Sequence, residues 1–219
     1  MGTLEDVWPL YGLRLRTPRL ELRMPREDDF GALLEVIDAG IHDPNTMPFA
    51  VPWTDLPATE RLRGAVQHWW ASRGSFRPEA WSLALAVYLD GAPIGFQDLA
   101  TKDFVNLREG ETGSWLGLAF QGTGYGKEMR AAIVHFAFTC LGAECITSTA
   151  FADNPASQNV SIATGYEPNG FEAKMRRGER AVSHRYRLSR SRWESNPPSV
   201  SVEVEGWTVA CRAMFGLSE

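Results

Sequence analysis

The chain has 219 residues, of which 44% are hydrophobic and 22% charged, a composition typical of a globular domain with a packed core. Its formal net charge of −5 argues against a nucleic-acid binder that works by bulk electrostatic attraction, so we expect no nucleic-acid partner. No run of about 18 apolar residues occurs, and we therefore expect no membrane-spanning helix.

Cysteine is scarce, at Cys140, Cys145 and Cys211, and two of the three lie inside apolar stretches. This pattern predicts buried, reduced thiols rather than a disulfide framework. The first residues, MGTLEDVWPL, lack the basic start and the apolar core of a signal peptide, so we expect a cytoplasmic protein. The four histidines show no ligand spacing, and no metal site is expected.

Local patterns divide the chain up to residue 190 into strands and helices. Alternating apolar residues at Leu20, Leu22 and Met24 indicate a half-buried strand, and Asp90-Gly91 between two apolar runs is typical of a hairpin turn. In chain order, the predicted elements are a strand (17–25), two helices (26–40 and 58–74), a hairpin (81–100), a strand (111–120), a helix (124–142), a strand (144–151), a helix (154–165) and a second hairpin (166–190). This order predicts an α+β fold, an α/β sandwich with a mostly antiparallel sheet.

The residues after Glu194 are also predicted to be structured. SVSVEVE (199–205) alternates valines with polar residues, which is typical of a strand with one buried face. Apolar residues then recur at Trp207, Val209, Ala210, Met214, Phe215 and Leu217. Because disordered tails are poor in such residues, we expect an extension over 195–219 that packs on the domain formed by 1–194 or on a dimer partner.

Three glycines, Gly122, Gly124 and Gly126, stand between a predicted strand and a predicted helix. The phosphate loop G-x-x-x-x-G-K-[ST] does not fit, because Gln121 occupies the position of its first glycine. The dinucleotide pattern G-x-G-x-x-G fails at Lys127. Backbone N–H groups at a helix N-terminus bind anions, and glycine lets the backbone come close to them. The loop therefore predicts an anion site, with a plain tight turn as the alternative.

The segment QGTGYG (121–126) resembles the pyrophosphate loop, Q/R-x-x-G-x-G/A, of the GNAT superfamily of acyl-CoA-dependent N-acyltransferases. NPASQNVSIATGY (154–166) resembles the N-x-x-S-x-x-V-(x4)-G-F/Y segment of the RimJ/RimL branch of that superfamily. The first, fourth and closing strands of the branch are matched by TPRLELR (17–23), SWL (114–116) and SHRYRLSRSRWE (183–194). The matches follow the order of the family, and the resemblance spans residues 13–194.

This resemblance implies a GNAT fold with a twisted sheet that is splayed between its fourth and fifth strands and has helices on both faces. It implies acetyl-CoA or succinyl-CoA as acyl donor, an amine acceptor and no metal, and it is compatible with a homodimer. The extension is then expected near the acceptor side, where the closing strands of this family lie. A main-chain N–H at Leu116 or Gly117 is expected to face the thioester carbonyl. The coenzyme A contacts that it implies are Leu116, Gly117, Leu118, Gln121, Gly122, Thr123, Gly124, Tyr125, Gly126, Lys127 and Asn154.

The same resemblance implies two catalytic side chains. Glu111 stands where RimL-like enzymes place a carboxylate base, and Ser157 stands where they place a hydroxyl that can protonate the departing sulfur. Many other GNAT enzymes carry a tyrosine acid at the position of Ser161, and its absence here favours Ser157. The structural alternatives are a solvated turn carboxylate for Glu111, a supporting role in the helix for Ser157, and a helix cap for Asn154.

Residues 41–57 join the first two helices, which overhang the acceptor site in this family. They offer His42, Trp53 and Asp55 as acceptor-binding residues, an aromatic lid with one acid that suits an amine; the alternative is a proline-rich loop packed on the core. The predicted reaction moves an acetyl group to a protein N-terminus, a lysine or a small amine. Two alternatives remain. One is a succinyl-CoA-dependent enzyme, because the segment also resembles loops of some actinobacterial RimJ/RimL-like proteins thought to accept this donor. The other is a non-catalytic coenzyme A-binding module.

Overall fold

A nine-stranded sheet forms the centre of the fold in the computed structural model, which describes residues 2–217. Its strands are β1 (Arg14–Arg16), β2 (Leu20–Arg23), β3 (Ala80–Leu89), β4 (Ala92–Lys102), β5 (Glu109–Leu116), β6 (Cys145–Phe151), β7 (Glu167–Arg176), β8 (Glu179–Ser189) and β9 (Glu203–Glu205). They lie in the order β7-β8-β6-β5-β4-β3-β2-β1-β9. All neighbours are antiparallel except β5 and β6, which are parallel, so the prediction of a mostly antiparallel sheet is confirmed.

Helices cover both faces of the sheet. They are α1 (Leu4–Val7), α2 (Phe30–Asp38), α3 (Ala58–Gly74), α4 (Phe104–Leu107), α5 (Tyr125–Phe136), α6 (Pro155–Ala163), α7 (Arg190–Ser195) and α8 (Val209–Met214). Helices α2 and α3 pack on one face of the sheet, where Leu33 and Trp69 lie in one cluster with Phe96 of β4. We call this the α3 face. On the opposite face, called the α5 face, Ile133 packs in one cluster with Leu99.

The two predicted hairpins turn at the predicted dipeptides. Asp90 and Gly91 have φ of 49° and 82°, and Arg177 and Gly178 have φ of 50° and 80°. Positive φ at both central residues matches the right-handed twist of the flanking strands, and glycine adopts it without steric cost. The Asp-Gly signal thus identified a real turn from four residues of local sequence.

One predicted element ends earlier than expected, and another ends where expected but changes its helix type. The strand predicted over 111–120 stops at Leu116, because the N–H of Leu118 turns away to donate to the carbonyl of Gly40 at 3.0 Å. The helix predicted over 124–142 is α-helical only to Phe136 and finishes in a π-helical turn at Ala137–Leu141. Gly142, with φ of 74°, then ends it in the left-handed conformation that favours glycine.

The C-terminal extension packs on its own chain, at the edge of the sheet opposite the closing strands β7 and β8. Strand β9 pairs with β1, and the side chains of Cys211 and Phe215 are fully buried. The expected position beside the closing strands was therefore wrong, because the free edge of β1 and the apolar surface around Trp81 provide the complementary partner. The last two predicted extension residues, 218 and 219, lie outside the described residues.

All three cysteines of the described chain are free, and Cys145 and Cys211 are buried as predicted. Burial raises the pKa of the Cys211 thiol to about 12. None of the helices within residues 2–217 has both the length and the apolar character needed to cross a bilayer. In the same range, no three His, Cys, Asp or Glu side chains are grouped so that they could hold a metal ion.

Candidate active site

Within residues 2–217, the glycine loop leaves a row of backbone N–H groups without an acceptor. The Gln121 N–H donates to Leu118 O at 3.2 Å, and the N–H groups of Lys127 and Glu128 donate to Gly124 O. Among the residues that the structure describes, the N–H groups in between, at 122–126, have no backbone acceptor outside regular elements. They precede or open α5, so the helix dipole adds to their positive field and the loop is suited to bind an anion.

Glycine is required at two points of this loop. Gly122 and Gly124 have φ of 76° and 91°, the left-handed region in which other residues are strained. At Gly126 the restriction is weaker, since a Cβ there would lie 3.4 Å from the Val160 side chain on α6, which is close to an ordinary contact distance. The predicted contact residues from Gly122 to Lys127 are thus brought together at the start of α5.

Two of the predicted contacts are used by the protein itself. The Gln121 side-chain amide donates to the carbonyls of Ile41 and Leu116, both at 2.8 Å. It therefore fixes the loop to the end of β5, and its two donors are used within the protein. Thr123 Oγ1 donates to Phe120 O at 2.9 Å, which further tightens the turn.

Arg19 supports the loop, and the sequence analysis did not single it out. Its Nε donates to Glu128 Oε2 at 2.6 Å, and its Nη1 donates to Thr123 O at 3.3 Å. Its guanidinium also lies 4.5 Å from the centre of the Tyr125 ring. Thr17 Oγ1 completes the buried Glu128 carboxylate's contacts at 2.6 Å. Arg19 belongs to TPRLELR, but its partner Glu128 lies 109 residues later in the chain, so no local pattern reveals the contact.

The sheet opens between β5 and β6. Their parallel pairing ends at Thr112 with Ser148, although β5 continues to Leu116 and β6 to Phe151. We call this opening the β5–β6 split. It corresponds to the splay that was expected between the fourth and fifth predicted strands.

The direction of the β5 amides decides which N–H faces the split. Gly117 N–H donates to Ile94 O on the β4 side at 2.9 Å. Antiparallel partners alternate between hydrogen-bonded and non-hydrogen-bonded pairs, and Leu116 is one residue away from this bonded pair. Of the two amides expected at the thioester, the Leu116 N–H therefore points into the β5–β6 split.

A buried arginine closes the base of the split from the α5 face. Arg130 is 2% exposed, and it donates to Ser148 Oγ at 3.0 Å on β6 and to Ser114 Oγ at 3.2 Å on β5. A third hydrogen bond reaches Gln97 Oε1 at 3.4 Å, so the hydrogen bonds of Arg130 within residues 2–217 all go to neutral groups. The sequence analysis missed this residue; a charged residue within the apolar stretch that follows the glycine loop was the available signal.

The two predicted catalytic residues lie on separate elements. Glu111 is exposed on β5 and accepts a hydrogen bond from Thr149 Oγ1 at 3.3 Å, across the paired end of the strands. Ser157 is half-buried on α6, where its N–H donates to Asn154 Oδ1 at 3.2 Å. Asn154 is thus the N-cap of α6, with Pro155 as its first residue. Ser161 is fully buried, and its Oγ has no hydrogen-bond partner within residues 2–217.

The predicted acceptor segment is held against the β7–β8 hairpin. Arg177 forms a bidentate ion pair with Asp55, at 2.6 and 2.7 Å, and this pairing lowers the pKa of the Asp55 carboxyl. His42 Nε2 lies 2.7 Å from Thr54 Oγ1, and its ring contacts Phe49, which in turn packs on Trp53. The charge of Asp55 is therefore matched within the protein, while His42 and Trp53 belong to one aromatic cluster.

Comparison with known proteins gives a family match and a set of similar folds. Residues 19–167 match the family described as "Acetyltransferase (GNAT) domain". The structure of Mycobacterium smegmatis RimJ in complex with CoA-disulfide is similar, with 19% identity over 87% of this chain and 92% of that chain, and a TM-score of 0.71.

Two further structures have a similar fold. RimL, a ribosomal L7/L12 alpha-N-protein acetyltransferase in complex with coenzyme A, is 16% identical over 78% of this chain and 94% of that one, with a TM-score of 0.63. The microcin C7 self-immunity acetyltransferase MccE, in complex with acetyl-CoA and AMP, is 17% identical over 78% of this chain and 93% of its own, with a TM-score of 0.63.

Proposed function

Because this chain belongs to the GNAT acetyltransferase family, we propose that it transfers an acetyl group from acetyl-CoA to a primary amine by direct attack of the amine on the thioester. The observation that carries the proposal is the row of N–H groups at 122–126 that have no acceptor among the described residues, beside the β5–β6 split. The row of N–H groups suits the pyrophosphate of coenzyme A, and the split suits its narrow pantetheine arm, which must reach the centre of the sheet. In this arrangement Leu116, Gly117 and Leu118 line the arm, and Gly122 to Lys127 and Asn154 lie at its phosphate end.

The acceptor must lose a proton before it can attack. An exposed lysine, with a pKa of about 10.4, is roughly 0.04% neutral at pH 7, whereas an α-amine with a pKa of about 7.7–8.0 is roughly 10% neutral. Both gain from a base, and the lysine gains more. Glu111 is our candidate, because it lies on the α3 face of β5 next to the base of the split and is open to water that can carry the proton away.

Two groups can assist the acyl transfer itself. The Leu116 N–H faces the split, where it can donate to the oxygen of the thioester as negative charge develops there; one such donor is worth about 10²–10³ in rate. The Ser157 hydroxyl can give a proton to the sulfur as the C–S bond breaks. The proton that the sulfur gains balances the one that the nitrogen loses when the amide forms.

Replacing Glu111 with Gln should lower kcat at pH 7 by about 10²–10⁴ and leave acyl-CoA affinity unchanged, since it removes a base without changing the shape of the strand. The loss should shrink at high pH, where more of the amine is already neutral. Steady-state kinetics between pH 6 and 10 measure both effects. Glu109→Gln is the matched control, because Glu109 is also an exposed β5 carboxylate but lies two residues farther from the split than Glu111. Parental kcat in Glu111→Gln at pH 7 would return Glu111 to a solvated surface residue.

Replacing Ser157 with Ala should slow turnover by about 10²-fold if the hydroxyl protonates the sulfur. The melting temperature should hold or rise, because alanine is the better helix former and the Asn154 cap contacts only the Ser157 backbone. Kinetics and thermal unfolding on one sample separate the two roles, with exposed Asn159→Ala as the control on the same helix. A lower melting temperature with normal turnover would show that Ser157 only supports α6.

Succinyl-CoA is a second candidate donor, and Arg130 is the observation that favours it. Its guanidinium is buried at the base of the split, and its hydrogen bonds among the described residues go to neutral groups, although the charge of Asp98 on β4 also acts on it. A donor with a terminal carboxylate would give this buried charge an opposite charge, and charge-assisted contacts of this kind are the strong ones. With acetyl-CoA, Arg130 would serve only to hold Ser114 and Ser148 across the opening.

The deciding experiment is a thiol-release assay with acetyl-CoA and succinyl-CoA over a panel of amines that includes N-terminal peptides, lysine peptides and small amines. Thiol release that depends on an amine supports the enzyme, and the ratio of the two donors identifies the acyl group. Coenzyme A binding by calorimetry without any release would instead support a non-catalytic binding module. RimL acts on a ribosomal protein, so an N-terminal ribosomal-protein peptide belongs in the panel. Gel filtration in the same buffer tests the predicted homodimer.

A further inference from the structure

A second carboxylate, Asp98 on β4, lies on the same face of the sheet as Glu111. Asp98 is paired in register with Gly113 of β5, and Gly113 is the first β5 residue beyond the last β5–β6 pair at Thr112. Asp98 is two residues from Phe96, which packs against α3, so its side chain also points to the α3 face. The carboxylate is therefore level with the base of the split, on the side from which an acceptor would approach.

Gly113 leaves the space that this carboxylate occupies. A Cβ on Gly113 would lie 2.5 Å from Asp98 Oδ1, closer than any real contact allows. A residue other than glycine would thus displace the carboxylate from the base of the split. Gly113 and Asp98 are both half-buried, so this part of the strand pair is not closed off from the α3 face.

Aromatic rings flank the carboxylate. Next to it along the strands, the rings of Phe96 and Trp115 lie 5.5 Å apart, and Trp69 of α3 stacks on Phe96 at 5.3 Å. Trp115 is half-buried and follows Gly113 by two residues, so it shares the face with Asp98. A carboxylate beside an aromatic ring is the combination that recognises an ammonium group, because both attract positive charge.

Within residues 2–217, charged groups lie near Asp98, but no cation forms an ion pair with it. The groups that stabilise its ionised form are the charges of Arg130, on α5, and His68, on α3, and the backbone N–H groups of Gly113 and Asp98 itself. Burial outweighs all of them and raises the pKa of the Asp98 carboxyl. By contrast, Asp55 is already paired with Arg177. A cation that entered along the α3 face would supply the partner that Asp98 lacks.

We propose that Asp98 binds the acceptor as its ammonium ion and thereby makes the enzyme selective for cationic amines. The inference rests on the proposed function and adds to it the residue that recognises the acceptor. Asp98 orients the nitrogen at the base of the split, and Glu111 then takes one proton from it. The neutral amine forms the C–N bond as the C–S bond breaks, and the second proton lost from nitrogen is balanced by the one that the sulfur receives.

The test compares two acceptors that differ in charge. They are the best amine of the thiol-release panel and its aminooxy analogue, in which oxygen replaces the methylene next to nitrogen and the group is neutral at pH 7. In Asp98→Asn, kcat/KM for the amine should fall about 10- to 100-fold, mainly because KM rises. A fall of about this size corresponds to the loss of one charged hydrogen bond. For the aminooxy analogue it should change less than about threefold, and the KM for acyl-CoA should not change.

Stability separates recognition from a structural role. Since the pKa of Asp98 is raised by folding, its ionised form opposes folding at pH 7, and Asp98→Asn should hold or raise the melting temperature. Gly113→Ala should mimic the kinetic change by displacing the carboxylate, and in the double variant the two losses should not add. Asp28→Asn, at an exposed carboxylate without an ion pair among the described residues, is the control.

The possible outcomes are distinct. An equal loss with both acceptors, or a lower melting temperature with unchanged KM, would overturn recognition by Asp98. Parental kinetics in Asp98→Asn would overturn it as well. If none of the amines in the panel causes the parent protein to release thiol, the proposed function itself fails, and the inference fails with it.

Discussion

Gly124→Val should lose coenzyme A affinity by about 10²-fold or more while the protein stays folded. Gly124 has φ of 91°, a region that a β-branched residue avoids, and it is the residue from which α5 starts. The expected ligand contacts are the successive N–H groups on both sides of it, and a charge-assisted hydrogen bond contributes about 1.5–3 kcal/mol. Displacing two of them is enough for the predicted loss, since about 1.4 kcal/mol corresponds to a factor of ten.

Calorimetry with coenzyme A measures this effect, and circular dichroism confirms the fold. A new side chain at Gly124 would also point toward Arg19, whose Nη2 would lie 3.4 Å from its Cβ, so part of the loss comes from the displaced loop support. Gly142→Val is the matched control, because Gly142 has a similar φ of 74°, ends a helix and has open space around its Cβ position. If folded Gly124→Val binds coenzyme A as the parent does, the anion site does not lie at this loop.

Truncation after Glu194 should prevent stable folding. It removes β9 and α8, and with them Phe215, whose ring lies 5.0 Å from that of Trp81 and 5.4 Å from that of Phe76. It also removes Trp207, which packs edge-on against Phe136 of α5 at 5.0 Å. Loss of one buried Phe costs about 3–5 kcal/mol, whereas the whole stability of a typical domain is about 5–15 kcal/mol. The shortened chain would in addition expose the core around Trp81 to water.

Thermal unfolding and gel filtration of the truncated chain measure the outcome. Phe215→Ala gives the graded version, with an expected loss of about 3–5 kcal/mol in the free energy of unfolding. Exposed Val209→Ala, at the start of α8 just before Phe215, should change it by no more than about 0.5 kcal/mol. A truncated protein that keeps its solubility, melting temperature and size would show that the extension has no structural role.

The parts of the fold that could be predicted depend on residues close together in sequence. The turn at Asp90-Gly91 and the cap of α6 by Asn154 each involve a few neighbouring residues whose conformations are restricted by their own chemistry. The glycine loop belongs to the same group, because a strand, a short turn, a glycine pattern and a helix follow one another along a short stretch of the chain. Local sequence does not fix where each element ends, since the end of β5 depends on the hydrogen bond from the Leu118 N–H to the carbonyl of the distant Gly40.

Much of the candidate site could not be predicted in this way. Arg130 looked like one more residue of a helix, and only the fold brings it between Ser114 and Ser148 at the base of the split. Asp55 looked like a free acid, and only the fold pairs it with Arg177, 122 residues later. The role of a charged side chain depends on the groups around it, and those groups come from other strands and helices.

The amino-acid sequence by itself determined the family, the glycine loop and the order of strands and helices, because each rests on local conformational preferences and on a pattern read along the chain. Only the tertiary structure decided where the extension docks and which carboxylate lies beside the β5–β6 split. Both depend on contacts between residues far apart in sequence: β9 finds the free edge of β1, and Asp98 faces the space that Gly113 leaves. Side-chain burial and pairing of this kind are properties of the packed sheet and have no local signature.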